Sequence, residues 1–193
     1  MLQAVDERLF RLLNGLAGKS AADWLARMLV NDYVVPTALA MLLLWLWFRN
    51  AAPSGRLDRE AVINAVCAQF LANLAVKALN LAYFRPRPFD RLGSVTLLFY
   101  RPWDSSFPSN PATFAFAIAV AIYFADRRLG LGAMGLAGAW GLARIYCGVH
   151  YPLDVVAGAV LGGSVAWWLS CRSSAMKTFR CWLLDCLQRR FLA

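Results

Sequence analysis

The arrangement in this chain that can do the most chemistry is a histidine four residues before an aspartate, with an arginine six residues ahead of it. His150 and Asp154 share one face if a helix starts near Tyr151, since side chains four apart stack along a helix. A carboxylate there can accept from one imidazole nitrogen, which fixes the tautomer and leaves the other nitrogen free to attack. Arg144 can point into the same space, and its planar fork suits phosphate oxygens. Two more polar clusters fit such a substrate. In KALNLAYFRPRPF, from Lys77 to Phe89, Pro86 and Pro88 end a helix and hold Arg85 and Arg87 in extended chain. Together with Lys77 they can neutralise a phosphate. In FPSNPAT, from Phe107 to Thr113, Ser109 and the backbone N–H groups of a starting helix make an anion site, and Ser109 also fits an N-cap.

These clusters interrupt a chain that is otherwise strongly apolar. Of 193 residues, 60% are hydrophobic and 16% charged, and the net charge is +9. Soluble domains average roughly 45–50% apolar and about 25% charged. A disordered chain is excluded, and a membrane protein is indicated. A nucleic-acid binder gathers its basic residues on one polar face, whereas these arginines sit between long apolar runs, so no nucleic-acid partner is expected.

Five apolar runs are candidate spans: about 33–48, 61–84, 111–125, 129–147 and 153–169. A spanning helix needs about 20 apolar residues, which puts the first at the short end. The fourth is rich in Gly and Ala, as suits close helix packing in lipid. Two shorter amphipathic stretches precede them. One carries Val5, Leu9, Leu12 and Leu13; the other follows Ser20 and carries Trp24, Leu25, Met28 and Leu29. Both suit the membrane interface. The fold class expected is an all-α integral membrane bundle of five to six spans with interfacial N-terminal helices. Residues 1–32 form the interfacial part, 33–170 the bundle, and 171–193 a basic tail with Phe179, Trp182, Leu183, Leu187 and Phe191 on an apolar face.

Alternating spans place Arg49, Arg56, Arg59, Arg127, Arg128 and the basic tail on one face, which the positive-inside rule makes cytoplasmic. The three polar clusters converge on the opposite face, with Arg85, Arg87, Arg91 and Arg101 among them. No cleavable signal peptide is expected, because the first residues mix acid and base without a continuous apolar run. Cys67, Cys147, Cys171, Cys181 and Cys186 lack CxxC spacing, and with one histidine no zinc site is expected.

The three clusters resemble the motifs of the type 2 phosphatidic acid phosphatase (PAP2) superfamily of membrane lipid phosphatases. That pattern runs Lys, then Arg-Pro, then Pro-Ser-Gly-His or a variant, then Ser-Arg, five residues, His, three residues, Asp. Arg144, His150 and Asp154 match in spacing, with Ala143 at the Ser position. Pro108-Ser109-Asn110 matches the second motif, and either Arg87-Pro88 or Arg85-Pro86 the first. Lys77 is one residue further from Arg85 than the common spacing, and three further from Arg87. RPRPF, FPSNPAT and HYPLD together look most like the bacterial undecaprenyl-diphosphatase branch.

The resemblance implies a site and a reaction. Lys77, Arg85 or Arg87, Ser109 with its neighbour Asn110, and Arg144 hold the phosphate. His150 attacks phosphorus and becomes a phosphohistidine, with Asp154 orienting it, and water releases phosphate. No metal or cofactor is implied. The substrate is a lipid diphosphate, undecaprenyl diphosphate first, cleaved at the outer face of a bacterial inner membrane. Another lipid phosphate, such as phosphatidylglycerol phosphate, phosphatidic acid or lipid A, is the alternative. One departure is plain: the family's second-motif His, assigned to protonating the leaving group, is Pro111 here, and Asp104 and Asp90 are candidate substitutes. A pseudo-phosphatase that binds or carries lipid phosphates is therefore a further alternative.

Overall fold

A computed structural model of the chain describes residues 2–18, 21–49 and 55–191, with side chains up to residue 186. Ser20, residues 50–54 of the first polar turn, and the side chains of Leu187, Arg189, Arg190 and Phe191 lie outside the described residues. All regular structure among the described residues is helical: α1 (Leu2–Asn14), α2 (Ala22–Val30), α3 (Val34–Phe48), α4 (Arg56–Ala82), α5 (Pro88–Arg91), α6 (Asn110–Tyr123), α7 (Arg127–Tyr146), α8 (Pro152–Cys171) and α9 (Ser174–Phe191). α4 and α8 are each long and apolar enough to cross a membrane. α2 and α3 pass the same test as a pair bent by 60°. α6 is apolar but shorter, and α7 does not reach that apolarity.

α6 is the hub and packs on α8, α4 and α7. Small side chains make this possible. Ala112, Ala115, Ala117, Ala119 and Ala121 of α6 are all buried. Opposite them, a Cβ on Gly158 or Gly162 of α8 would fall onto the Ser109 or Thr113 carbonyl oxygen. The Gly-rich fourth run makes close approaches at its two ends only: a Cβ on Gly130 would fall onto Tyr123 and one on Gly141 onto Val155 of α8, while Gly132, Gly135 and Gly138 of α7 face open space. Backbones meet closely at α6–α8 because there the glycines oppose alanines.

The ends of the bundle are tied by ion pairs. Arg49 donates from Nε and Nη2 to Asp58 at 2.8 and 2.7 Å, and from Nη1 to Asp126 at 3.2 Å. Asp126 caps α7 by accepting from the N–H groups of Arg128 and Leu129, which together with Arg49 hold its carboxyl below the ordinary range.

Both terminal helices turn large apolar side chains outward. In α1, Val5, Leu9 and Leu12 face out, and Asp6, Phe10 and Asn14 are buried. In α9, Phe179 and Trp182 face out, and Met176, Arg180 and Leu184 are buried, with Arg180 donating to Asn64 Oδ1 at 2.8 Å. An apolar face turned outward is unfavourable in water but costs nothing against hydrocarbon, while polar groups gain by finding partners inside.

Candidate active site

His150 lies in the turn between α7 and α8. Gly148 makes that turn with φ +87°, and a Cβ there would meet Val95 and the Thr96 carbonyl. The imidazole is 1% exposed. Its Nδ1 is 2.9 Å from the Ser106 carbonyl oxygen. A carbonyl only accepts, so Nδ1 carries the proton and Nε2 keeps its lone pair. Nε2 stands 3.3 Å from Arg87 Nη1. Burial, and then the positive charges of Arg87 and Arg144, push the imidazole well below its ordinary pKa, so the ring is neutral.

Asp154 does not touch the imidazole as expected. Its Oδ2 is 3.9 Å from Nδ1 and instead accepts from Ser106 Oγ at 2.5 Å and from the Tyr151 N–H at 2.9 Å. The reason is local. Tyr151 is the N-cap of α8 and Asp154 its third residue, so the carboxylate folds back onto the helix start. Ser106 then links the two, as its hydroxyl meets Asp154 and its carbonyl meets His150. Its hold on the imidazole is through the backbone carbonyl, which no side-chain pattern announces.

The arginines divide. Arg87 donates from Nη1 to the Val149 carbonyl at 2.8 Å, and from Nε and Nη2 to the backbone and carboxylate oxygens of Asp104 at 3.1 and 2.7 Å. Arg144 pairs with Asp32 and lies over the rings of Phe99 and Trp140, at 4.9 and 5.3 Å. Arg85 is a bridge: Nη1 donates to Asp154 at 2.5 Å and Nη2 to Asp6 at 2.7 Å, and its CZ is 4.2 Å from the Tyr151 ring centroid. Burial opposes its charge, but the two carboxylates outweigh burial and raise its pKa. Of the two first-motif alternatives, Arg87 therefore meets His150.

Ser109 is fully buried, and its Oγ has no hydrogen-bond partner among the described residues. It stands at the N-cap of α6, but its side chain makes no cap bond. Its N–H donates to the Asp154 carbonyl at 2.9 Å, tying the start of α6 to α8. Lys77 and Asn110 lie beside this cluster, lining a cavity of about 600 Å³ with Asn73, Asn80, Tyr100, Trp103 and Asp104. Asp104 belongs to both regions, through Arg87. Asp90 is exposed on α5, and Arg101 lies over the Phe89 ring at 5.4 Å. Pro111 borders a smaller hollow of about 200 Å³ with Asp32 and Asn73.

Sequence reasoning missed Ser106, Asp6, Asn14 and Asp32. Asn14 donates to the carbonyls of Thr96 and Tyr146, both at 2.8 Å, and so pins α1 to the turn carrying the site.

Comparison with known proteins shows the family. The PAP2 superfamily pattern matches residues 61–176. The bacitracin transport permease protein BcrC of Bacillus licheniformis is 34% identical over 154 residues, covering 79% of this chain and 73% of that protein. The undecaprenyl-diphosphatase BcrC of Bacillus subtilis is 29% identical over 157 residues, covering 81% and 78%. The crystal structure of Aquifex aeolicus LpxE superposes with a TM-score of 0.66 at 31% identity, covering 84% of this chain and 92% of that one. With the matched region holding the arginines, Ser109, His150 and Asp154, this chain belongs to the PAP2 superfamily.

Proposed function

We propose that the chain hydrolyses a polyprenyl diphosphate, undecaprenyl diphosphate first, to the monophosphate and phosphate. The observation that carries this reading is a buried, neutral His150 with its Nδ1–H bound to the Ser106 carbonyl and its Nε2 beside Arg87. Nε2 attacks the terminal phosphorus. The N–P bond forms as the bridging P–O bond breaks, and the electron pair leaves on the lipid monophosphate. The ring keeps its proton on Nδ1 and becomes a phosphoimidazolium, which the Ser106 carbonyl steadies. Water then attacks phosphorus, the N–P bond breaks, and phosphate departs with both protons of the water. Arg87, Arg144 and Ser109 hold the oxygens of the transferred group, and Lys77 and Asn110 meet the lipid-side phosphate.

Pro111 bears on the choice of substrate. General acid catalysis is typically worth about 10²–10⁴-fold, and an alkoxide leaving group needs it. A phosphate monoester has its second pKa near ~6, so a lipid monophosphate leaves as a dianion at neutral pH with little need of a proton. A site without the second-motif histidine therefore suits diphosphates. The exposed Leu81 and Trp103 lining the Lys77 cavity suit a prenyl chain arriving from the membrane. α6 and α7 complete five spans with α3, α4 and α8. Residues 1–32 lie at the interface, 33–170 form the bundle, and the tail from 171 is cytoplasmic, so the site faces outside the cell.

A second reading rests on Pro111 alone: a pseudo-phosphatase that binds or carries lipid phosphates without turnover. Phosphate release from undecaprenyl diphosphate and from phosphatidic acid separates the two. Turnover of the diphosphate, lost in His150→Ala, is expected. Pro111→His should raise activity on the monoester more than on the diphosphate. Equal gains would remove the leaving-group argument, and binding of both lipids without release would establish the pseudo-phosphatase.

A further inference from the structure

α1 lies outside the matched region 61–176, yet it places a carboxylate within the network around His150. Asp6 is buried, and both of its oxygens are used. Oδ2 accepts from Arg85 Nη2 at 2.7 Å, and Oδ1 accepts from the Leu153 N–H at 2.9 Å. Arg85 passes the connection to Asp154 Oδ1 at 2.5 Å. Asp154 Oδ2 accepts from Ser106 Oγ at 2.5 Å, and the Ser106 carbonyl takes the His150 Nδ1 proton at 2.9 Å.

Each Asp6 oxygen thus bears on Asp154. One holds the arginine that grips its carboxylate, and the other holds the N–H of the residue just before it. Phe10, one turn further along α1, packs on Tyr151 with ring centroids 5.5 Å apart, and Arg85 lies over that same ring. A fully buried carboxylate is costly unless paired and hydrogen-bonded, and among the described residues this one is satisfied by groups that lead to the site. With Asp6 absent, Arg85 has a single carboxylate and can swing with Asp154, and the Ser106 carbonyl loses the support that fixes Nδ1–H.

We propose that Asp6 is a positioning residue for the reaction. It braces Arg85 and the first turn of α8, so that Asp154 and Ser106 hold His150 in the tautomer that leaves Nε2 free. This rests on the reading of His150 as nucleophile, and it assigns Arg85 to the brace rather than to the substrate.

The test uses the full chain in detergent micelles with Asp6→Ala and Asp6→Asn, read in two ways. His150 is the only histidine, so its ring nitrogens are identified in a nitrogen-15 spectrum without further assignment. The wild type should show one Nδ1–H tautomer, and Asp6→Ala a mixture of tautomers. In turnover of a polyprenyl diphosphate, Asp6→Ala should lower kcat about tenfold or more, with KM within about twofold, as expected for lost alignment rather than lost binding. Asp6→Asn, which keeps an acceptor but no charge, should fall between, and it replaces the alanine variant if that one fails to fold. Ring spectra unchanged in both variants overturn the proposal, whatever the activity. So does a fall in kcat/KM carried by KM alone. If the wild type releases phosphate from no lipid, the nucleophile reading fails, while the ring spectra still decide the role of Asp6.

Discussion

Arg85, Arg87 and Arg144 are all paired with aspartates, but what lies behind those aspartates differs. The partners of Arg85, Asp6 and Asp154, have side chains with no exposure at all. The partners of Arg87 and Arg144 open to solvent: Asp104 is 45% exposed and Asp32 is 37% exposed. A sealed carboxylate cannot leave its arginine without being stranded in a low-dielectric interior, which costs several kcal/mol. An exposed one can swing into water at little cost. On the proposed reading, the same pair of residue types serves as scaffold in one place and as an exchangeable anion site in the other: Arg87 and Arg144 trade a carboxylate for a phosphate, and Arg85 does not.

Conservative arginine variants should show this division most strongly. Arg87→Lys and Arg144→Lys remove the planar fork that suits phosphate, so kcat/KM on the lipid diphosphate should fall about 10²-fold, with KM raised. Arg85→Lys should lower kcat about tenfold and leave KM within about twofold, since it disturbs alignment rather than contact. Steady-state kinetics on the three variants decide the matter. A KM rise in Arg85→Lys as large as in the others would erase the distinction. A smaller effect is expected from the exposed carboxylates. Asp104→Asn and Asp32→Asn each remove an anion competing with substrate, and partly exposed pairs are worth about 0–1 kcal/mol, so KM should fall up to about fivefold. A rise in KM would mean that these aspartates position the arginines instead of holding the place of substrate.

Much of the scaffold was legible in the sequence. The five apolar runs coincide closely with α3, α4, α6, α7 and α8, since charges, prolines and glycines bound each run. Arg144, His150 and Asp154 were legible because their spacing is fixed across a single turn. What pairs with what was not. Ser106 holds the imidazole through a carbonyl that every residue possesses. Asp6 is 144 positions from His150 by their numbers, and no local pattern links them. The amphipathic pattern of α1 is legible in the sequence, but which of its residues reach the site is not. Beside hydrocarbon, Leu9 and Leu12 turn out and Asp6 turns in, the reverse of what water imposes. The glycines of α7 look alike in sequence, yet Gly130 and Gly141 meet Tyr123 and Val155 closely while Gly132, Gly135 and Gly138 face open space.

The central claim is that His150 attacks through Nε2 while Nδ1 stays bound to the Ser106 carbonyl. It is tested most directly by stopping turnover of a terminally labelled lipid diphosphate within milliseconds and locating the label on the chain. The account predicts an acid-labile, base-stable phosphohistidine carrying phosphorus on Nε2, which in a chain with one histidine can only be His150. Label on Nδ1, on a serine or aspartate, or on no residue during active turnover would contradict it.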